Sequence, residues 1–183
     1  MVLVAITGAS GVELAVTLLK QLKEHGERTE LIITEIAKKI IKIETKYDVN
    51  DIIELSDKYY EVDDLTAGPA SGSYRNNIMI IIPCSMKTLA AIANGYADNL
   101  ITRAADVIIK ENKKLILVVR ESPFSAIHLE NMLKLSRLGV IIAPPIPSYY
   151  IKPKSIKDLN EYFVGRILDH MGIDSGIKRW GDK

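Results

Sequence analysis

At 183 residues the chain is long enough for one domain with a substantial core. It is 48% hydrophobic and 26% charged with a formal net charge of +1, so no overall field draws it to nucleic acid or membrane lipid. Its single cysteine, Cys84, excludes an intrachain disulfide and fits a reducing, cytoplasmic setting. The first residues carry no basic leader before Gly8, and no apolar run approaches the ~20 residues of a membrane span.

Residues 2–6, Val-Leu-Val-Ala-Ile, read as a buried parallel strand because they are continuously apolar. They run into Thr7-Gly8-Ala9-Ser10-Gly11. A helix follows, with Leu14, Leu18, Leu19 and Leu22 on one face and Gly26 as its stop. A glycine-bearing turn at a helix start leaves backbone N–H groups for an anion. The pattern is not Gly-x-Gly-x-x-Gly, so the dinucleotide fingerprint is absent, and a plain turn without ligand is the alternative. A second strand lies within residues 29–34 and ends at the Thr34 hydroxyl. Residues 35–46 read as a helix with Ile36, Ile40 and Ile43 inward and the lysines outward. By pattern alone Glu44 is a surface residue. Residues 47–67 are polar with weak periodicity. Gly68-Pro69-Ala70-Ser71-Gly72-Ser73 is a loop of small residues whose backbone can approach a ligand or another subunit closely.

Residues 78–82 form the third strand, stopped by Pro83-Cys84. Two helices follow, over 85–94 and 99–112, with Ser85 and Asn99 as N-caps. Residues 115–119 form a fourth strand that delivers Arg120-Glu121. Residues 125–137 read as a helix with Ile127, Met132, Leu133 and Leu135 inward. A fifth strand, 140–142, ends in a proline-rich loop. The last helix covers 155–171, and 172–183 is a tail. Five strands alternating with helices predict an α/β fold: a Rossmann-like, doubly wound parallel sheet in a single domain over 1–183. Such sheets bind ligands at the carboxyl ends of their strands, and every unusual cluster here follows a strand.

The charged groups narrow the chemistry. Arg103, Asp106 and Lys110 share a helix face, where a surface ion-pair ladder is the plain reading. Lys110, Arg120 and Arg166 together would clamp a phosphate, since guanidinium forks match phosphate oxygens. Glu121 beside them is a candidate general acid for a departing phosphate. Hydroxyls at Ser10, Thr34, Ser85 and Thr88 suit a second phosphorylated ligand. The three histidines lack metal-ligand spacing, and neither a Gly-x-Ser-x-Gly elbow nor a Walker sequence is present. Cys84, following Pro83 at a strand end, reads as a small structural hydrophobe rather than a nucleophile.

The runs Gly8-Ala9-Ser10-Gly11, Pro69-Ala70-Ser71-Gly72-Ser73, Pro83-Cys84-Ser85-Met86-Lys87-Thr88, Asp98-Asn99-Leu100-Ile101-Thr102-Arg103-Ala104-Ala105-Asp106 and Arg120-Glu121 resemble the UbiX-type flavin prenyltransferases. The resemblance covers essentially the whole chain. It implies a flavoprotein assembled as a dodecamer, with sites at subunit junctions and no metal. The reaction it implies joins a dimethylallyl group from dimethylallyl monophosphate to N5 and C6 of reduced FMN. The product then serves a UbiD-type decarboxylase.

By motif, Gly8, Ala9, Ser10, Thr34, Ser85, Met86, Lys87, Thr88 and Arg120 match FMN-contacting positions. Ser10 and Glu44 match a proton relay near flavin N5, which reverses the surface reading of Glu44. Ser71, Gly72, Arg103, Lys110, Glu121, Tyr150 and Arg166 match the prenyl-phosphate site, Ser71-Gly72 coming from a neighbouring subunit. Trp180 resembles a tail aromatic that covers the site. Thr34 stands where many relatives carry serine, and the 148–153 loop also departs from the family pattern. These departures leave monophosphate against diphosphate preference open. Two other readings remain: an FMN-dependent decarboxylase of the cysteine-decarboxylase group, and a non-catalytic flavin carrier.

Overall fold

The computed structural model describes residues 1–181. They group into two compact units, one over Met1–Pro144 and one beginning at Pro145. The first contains strands β1 (Val2–Ile6), β2 (Thr29–Ile33), β3 (Lys58–Tyr60), β4 (Ile78–Cys84), β5 (Lys114–Val119) and β6 (Ile141–Ile142). Its helices are α1 (Val12–Glu24), α2 (Glu35–Glu44), α3 (Val49–Ile53), α4 (Met86–Ala93), α5 (Leu100–Lys110) and α6 (Ala126–Arg137). The second unit holds α7 (Ile156–Met171).

The strands form one all-parallel sheet in the order β3-β2-β1-β4-β5-β6. The five expected strands are all present, and β3 is an addition. Three residues long and carrying Lys58, it is too short and too polar to show a strand period. It pairs through Glu30–Lys58, Leu31–Tyr59 and Ile32–Tyr60 at the sheet edge. β1 and β2 are buried along their whole length, as strands covered on both faces must be. One face packs Leu3, Ile32, Met79, Ile81 and Leu117 with Ile101, Ala104, Ala105 and Ile108 of α5.

Two helices turn differently from their apolar pattern. On α2 the buried residues are Ala37 and Ile41, while Ile36 is 55% and Ile43 81% exposed. The inward stripe is set by small Ala37, and Ile36 and Ile40 face a cavity instead. On α6 only Leu135 is buried; Met132 is half-buried, and Ile127 and Leu133 are exposed. The chain alone leaves that apolar face uncovered. Among the described residues no helix is long and apolar enough to cross a membrane.

The strand order reverses direction between β1 and β4, which opens the crevice where doubly wound sheets take ligands. Pro83 has no N–H to give the ladder, and the β4–β5 register shifts between Ile81 and Cys84. Thr7, 1% exposed, bridges the gap. Its hydroxyl donates to the Pro83 carbonyl at 2.8 Å and accepts from the Ser85 amide at 2.9 Å. The end of β1 is thereby bonded to the start of α4. Thr7→Val keeps the shape but leaves the part-buried Ser85 N–H without its partner and leaves the buried Pro83 carbonyl only the Thr7 amide at 3.3 Å. We expect it to lower the unfolding free energy by about 1–3 kcal/mol in urea titration.

Candidate active site

A cavity of about 550 Å³ lies at the carboxyl ends of β1, β2, β4 and β5. Gly8, Ala9 and Ser10 line it from the first turn, Thr34 and Glu44 from the two ends of α2, Ser85 to Thr88 from the start of α4, and Arg120 and Glu121 from the end of β5. All nine positions matched to FMN contacts, and all three matched to catalysis, therefore face one space. Ile36, Ile40, Asn99 and Ile101 line it as well. The sequence reading assigned the first two to the core and Asn99 to a cap. Nothing in periodicity distinguishes an isoleucine facing a cavity from one facing a core. Gly8 keeps this wall open: a Cβ there would lie 2.7 Å from Ile36 Cγ2.

The N-termini of α1, α2 and α4 border the cavity, and they are not all satisfied alike. α4 begins at Ser85, whose hydroxyl accepts from the Thr88 amide at 3.3 Å and donates to the Thr88 hydroxyl at 3.1 Å. The amides of Met86 and Lys87, in the first turn, have no intrahelical acceptor and form an anion-binding end. Lys87 stands at its rim with Asp98 3.6 Å from its ammonium. Thr34 caps α2 in the same manner, accepting from Ala37 at 3.2 Å.

The N-terminus of α1 is already occupied, contrary to the expectation that its amides are open to an anion. Gly11, at φ 106°, caps the helix without a side chain. Glu44, 33 residues away, supplies the anion instead: its Oε2 accepts from Gly11 N at 2.8 Å and Val12 N at 3.3 Å. Burial pushes the Glu44 carboxyl up, but bonds from Ser10, Gly11 and Val12 and the charge of Arg120 outweigh it and hold it below the ordinary glutamate value. Cys84 is different. Fully buried, its thiol is pushed far up by desolvation against a weaker opposing bond from the Leu89 amide, so it is no nucleophile.

The residues matched to the prenyl phosphate fall into three places. Glu121 lines the cavity, its carboxylate accepting from the Ser122 amide at 3.0 Å. Ser71, Gly72, Arg103 and Lys110 gather where the small-residue loop meets α5. Arg103 Nε donates to the Ala70 carbonyl at 3.1 Å, and its guanidinium pairs with Asp106 at 2.7 Å. Lys110 pairs with Glu111 at 2.5 Å, so the ladder through Asp106 is cut short. A Cβ on Gly72 would lie 2.9 Å from Lys110 Nζ. None of these four lines the 550 Å³ cavity.

In the second unit Tyr150 hydrogen-bonds Tyr162 and meets Trp180 edge-on, ring centres 5.1 Å apart. Arg166 pairs with Asp169 at 2.8 Å. These residues border a pocket of about 310 Å³ together with Lys178 and Arg179, which sequence reasoning did not single out. Arg179 holds the same Asp169 carboxylate with two N–H groups, at 2.8 and 3.0 Å. Of the other two cations matched to phosphate binding, Arg120 lines the cavity and Lys110 pairs with Glu111. Among the described residues no group of three His, Cys, Asp or Glu could hold a metal.

A family profile described as Flavoprotein matches residues 1–168. Flavin prenyltransferase UbiX of Methanocaldococcus jannaschii is 54% identical over 98% of each chain. The chain belongs to the UbiX flavin prenyltransferase family. Among solved structures, AnUbiX (PadA1), crystallised with FMN and dimethylallyl pyrophosphate, matches with TM-score 0.98 and 45% identity, covering 100% of this chain and 97% of that one. A dodecameric FMN-dependent UbiX-like decarboxylase from Escherichia coli O157:H7 matches with TM-score 0.96 and 46% identity over 99% of each chain. The FMN-dependent cysteine decarboxylase TvaF shares the fold alone, at 17% identity and TM-score 0.61 over 79% of this chain and 89% of that one.

Within this flavin prenyltransferase the depressed Glu44 value gives a pH signature. The carboxylate stabilises the fold above the ordinary glutamate pKa of about 4.3, and that contribution is lost as pH falls through the lower folded value. Glu44→Gln is expected to melt below wild type at neutral pH. The gap between their melting temperatures should close as the pH is lowered beneath about 4.3.

Proposed function

We propose that the protein transfers a dimethylallyl group from a dimethylallyl phosphate to N5 and C6 of reduced FMN, releasing phosphate. The observation that carries this reading is the single cavity bounded by an open helix N-terminus, Arg120, Glu121 and the Ser10–Glu44 pair. The cavity suits FMN in kind. It has the volume of a small-molecule site, an anion-binding end at Ser85 to Thr88, and apolar walls at Ile36, Ile40, Met86 and Ile101. Reduced FMN supplies the electron-rich N5 and C6 that the allyl group joins.

The chain's residues do the rest. Met86 and Lys87 amides, with Thr34, Ser85, Thr88 and Arg120, bind and orient the flavin; Gly8 and Ala9 let it approach the sheet. As the allylic C–O bond breaks, its electron pair goes to the phosphate oxygen and Glu121 delivers a proton there. Ser10 takes the proton that leaves N5, and as the second bond closes onto C6 a proton added to the allyl double bond balances the one lost from C6. Glu44, kept ionised by the α1 amides, is the acceptor at the end of that path. Ser71, Gly72, Arg103, Lys110, Tyr150, Arg166 and Trp180 hold the donor, with Ser71-Gly72 serving the cavity of a neighbouring copy.

That division of labour is supported by the absence of Ser71, Gly72, Arg103 and Lys110 from the lining of their own chain's cavity. Exposed Ile127, Leu129 and Leu133 on α6 also fit burial in an assembly, which we propose is a dodecamer. Dimethylallyl monophosphate is the proposed donor, and a UbiD-type decarboxylase in the cytoplasm receives the product.

The test is anaerobic: pure protein, reduced FMN and dimethylallyl monophosphate, with the flavin read by mass spectrometry. A prenylated flavin is expected. A requirement for a second protein would favour the carrier reading instead. Glu121→Gln should leave FMN affinity unchanged while slowing transfer by roughly 10²–10⁴; undiminished turnover would remove Glu121 as the acid.

A further inference from the structure

Glu30 is a completely buried acid that the reaction does not use. It stands near the amino end of β2, away from the cavity. Its Oε1 accepts from the Tyr74 hydroxyl at 2.6 Å and the Tyr60 hydroxyl at 3.2 Å. Its Oε2 accepts from Asn76 Nδ2 at 3.3 Å, and the two phenol oxygens are 2.9 Å apart. Burying a carboxyl in a sheet is costly unless donors surround it, so this cluster is over-built for a strand that any valine could complete.

What the cluster holds is Tyr74. That residue ends the loop of small residues, which has no bulky side chain with which to anchor itself. The Tyr74 amide donates to the Ser71 carbonyl at 3.1 Å, and its own carbonyl accepts from Lys113 Nζ at 3.1 Å. Its ring lies against Gly68 so closely that a Cβ there would overlap it. Arg103 fixes the same loop from α5 through the Ala70 carbonyl. Ser71, Tyr74, Asn76 and Lys113 meet around one void of about 10 Å³. The hydrogen bonds therefore run without a break from Glu30 through Tyr74 to the backbone of Ser71. Burial of the Tyr74 phenol adds to the effect of its bonds to Glu30 and Tyr60, all of which favour its protonated, donating form.

We propose that Tyr74, fixed by the buried Glu30 carboxyl, is a positioning residue that sets the Ser71-Gly72 segment for the donor phosphate. This rests on the reading that Ser71-Gly72 touch the donor. Tyr74 does not line the cavity, so its removal should act on donor recognition alone.

The experiment compares three variants for KM of dimethylallyl monophosphate at saturating reduced FMN, for kcat, and for FMN affinity. Tyr74→Phe removes only the hydroxyl. Lys113→Met removes the bond to the Tyr74 carbonyl, and Lys113→Arg, which keeps the positive charge beside Glu111 and a donor for that carbonyl, is its control; the pair decides the matter if Tyr74→Phe does not fold. Gly72→Ala crowds Lys110 and Glu111 within the segment itself and tests the underlying reading. All three are expected to raise the donor KM, the first two by about tenfold, with kcat and FMN affinity unchanged. Glu30→Gln, which retains an acceptor for both phenols, should stay near wild type. If Gly72→Ala raises the donor KM while Tyr74→Phe and Lys113→Met do not, the positioning role is wrong and the donor reading stands. If Gly72→Ala leaves it unchanged, both fall. Weakened FMN binding in parallel with the donor effect would mark general loosening and overturn the proposal.

Discussion

The Thr7 hydroxyl bridges the two strands on either side of the point where the sheet reverses its winding, donating to Pro83 and accepting from Ser85. A proline at the end of β4 interrupts the ladder there and leaves backbone groups to be satisfied in the interior. Buried backbone groups seldom go unpaired, so a side chain from the neighbouring strand must serve them. Threonine fits because its methyl suits the core while its hydroxyl can give and accept at once. With that bridge in place, the turn after β1 and the start of α4 move as one piece. They are two walls of the cavity.

The cavity is shaped further by an asymmetry between helix ends. α1 and α4 each begin at a strand's carboxyl end, and each offers unpaired amides. At α1 the protein closes the end itself with Glu44. At α4 the cap is a neutral serine, and the first amides are left to an incoming anion. The same electrostatics thus produces a fixed negative charge on one side and a receptive positive end on the other. A phosphorylated ligand has only one way round that suits both.

Much of this was legible in the sequence. The long apolar strands, the capping serine at Ser85 and asparagine at Asn99, and the clustering of hydroxyls and charges after strands all follow from local rules, and the structure has them where expected. β3 was not legible because three residues on an edge give no period. The rotations of α2 and α6 were not legible because apolar spacing names a stripe without saying whether core, cavity or another chain covers it. The closure of α1 by Glu44 could not be read from local pattern either. Its residues are neighbours only after β2 and α2 have been laid beside β1, and Glu44 sits among lysines in the sequence. Its match to a family position pointed to the residue but not to the amides it holds. Tyr162, Lys178 and Arg179 escaped notice for a similar reason: an aromatic on a helix and two cations in a tail have ordinary surface explanations.

The distance along the chain between Gly11 and Glu44 has a consequence for how the molecule comes into being. During synthesis β1 and the first turn of α1 emerge well before the residue that completes them. In that interval Gly11 has neither a side-chain cap nor its carboxylate partner, and the left-handed turn it adopts is held locally only by the Leu14 amide on its carbonyl. A helix end of this kind frays. It becomes firm only once Glu44, at the end of α2, has been brought to it. A nascent or partly folded chain therefore has no shaped first wall for the cavity, and ligand capture is deferred until the first half of the sheet is assembled.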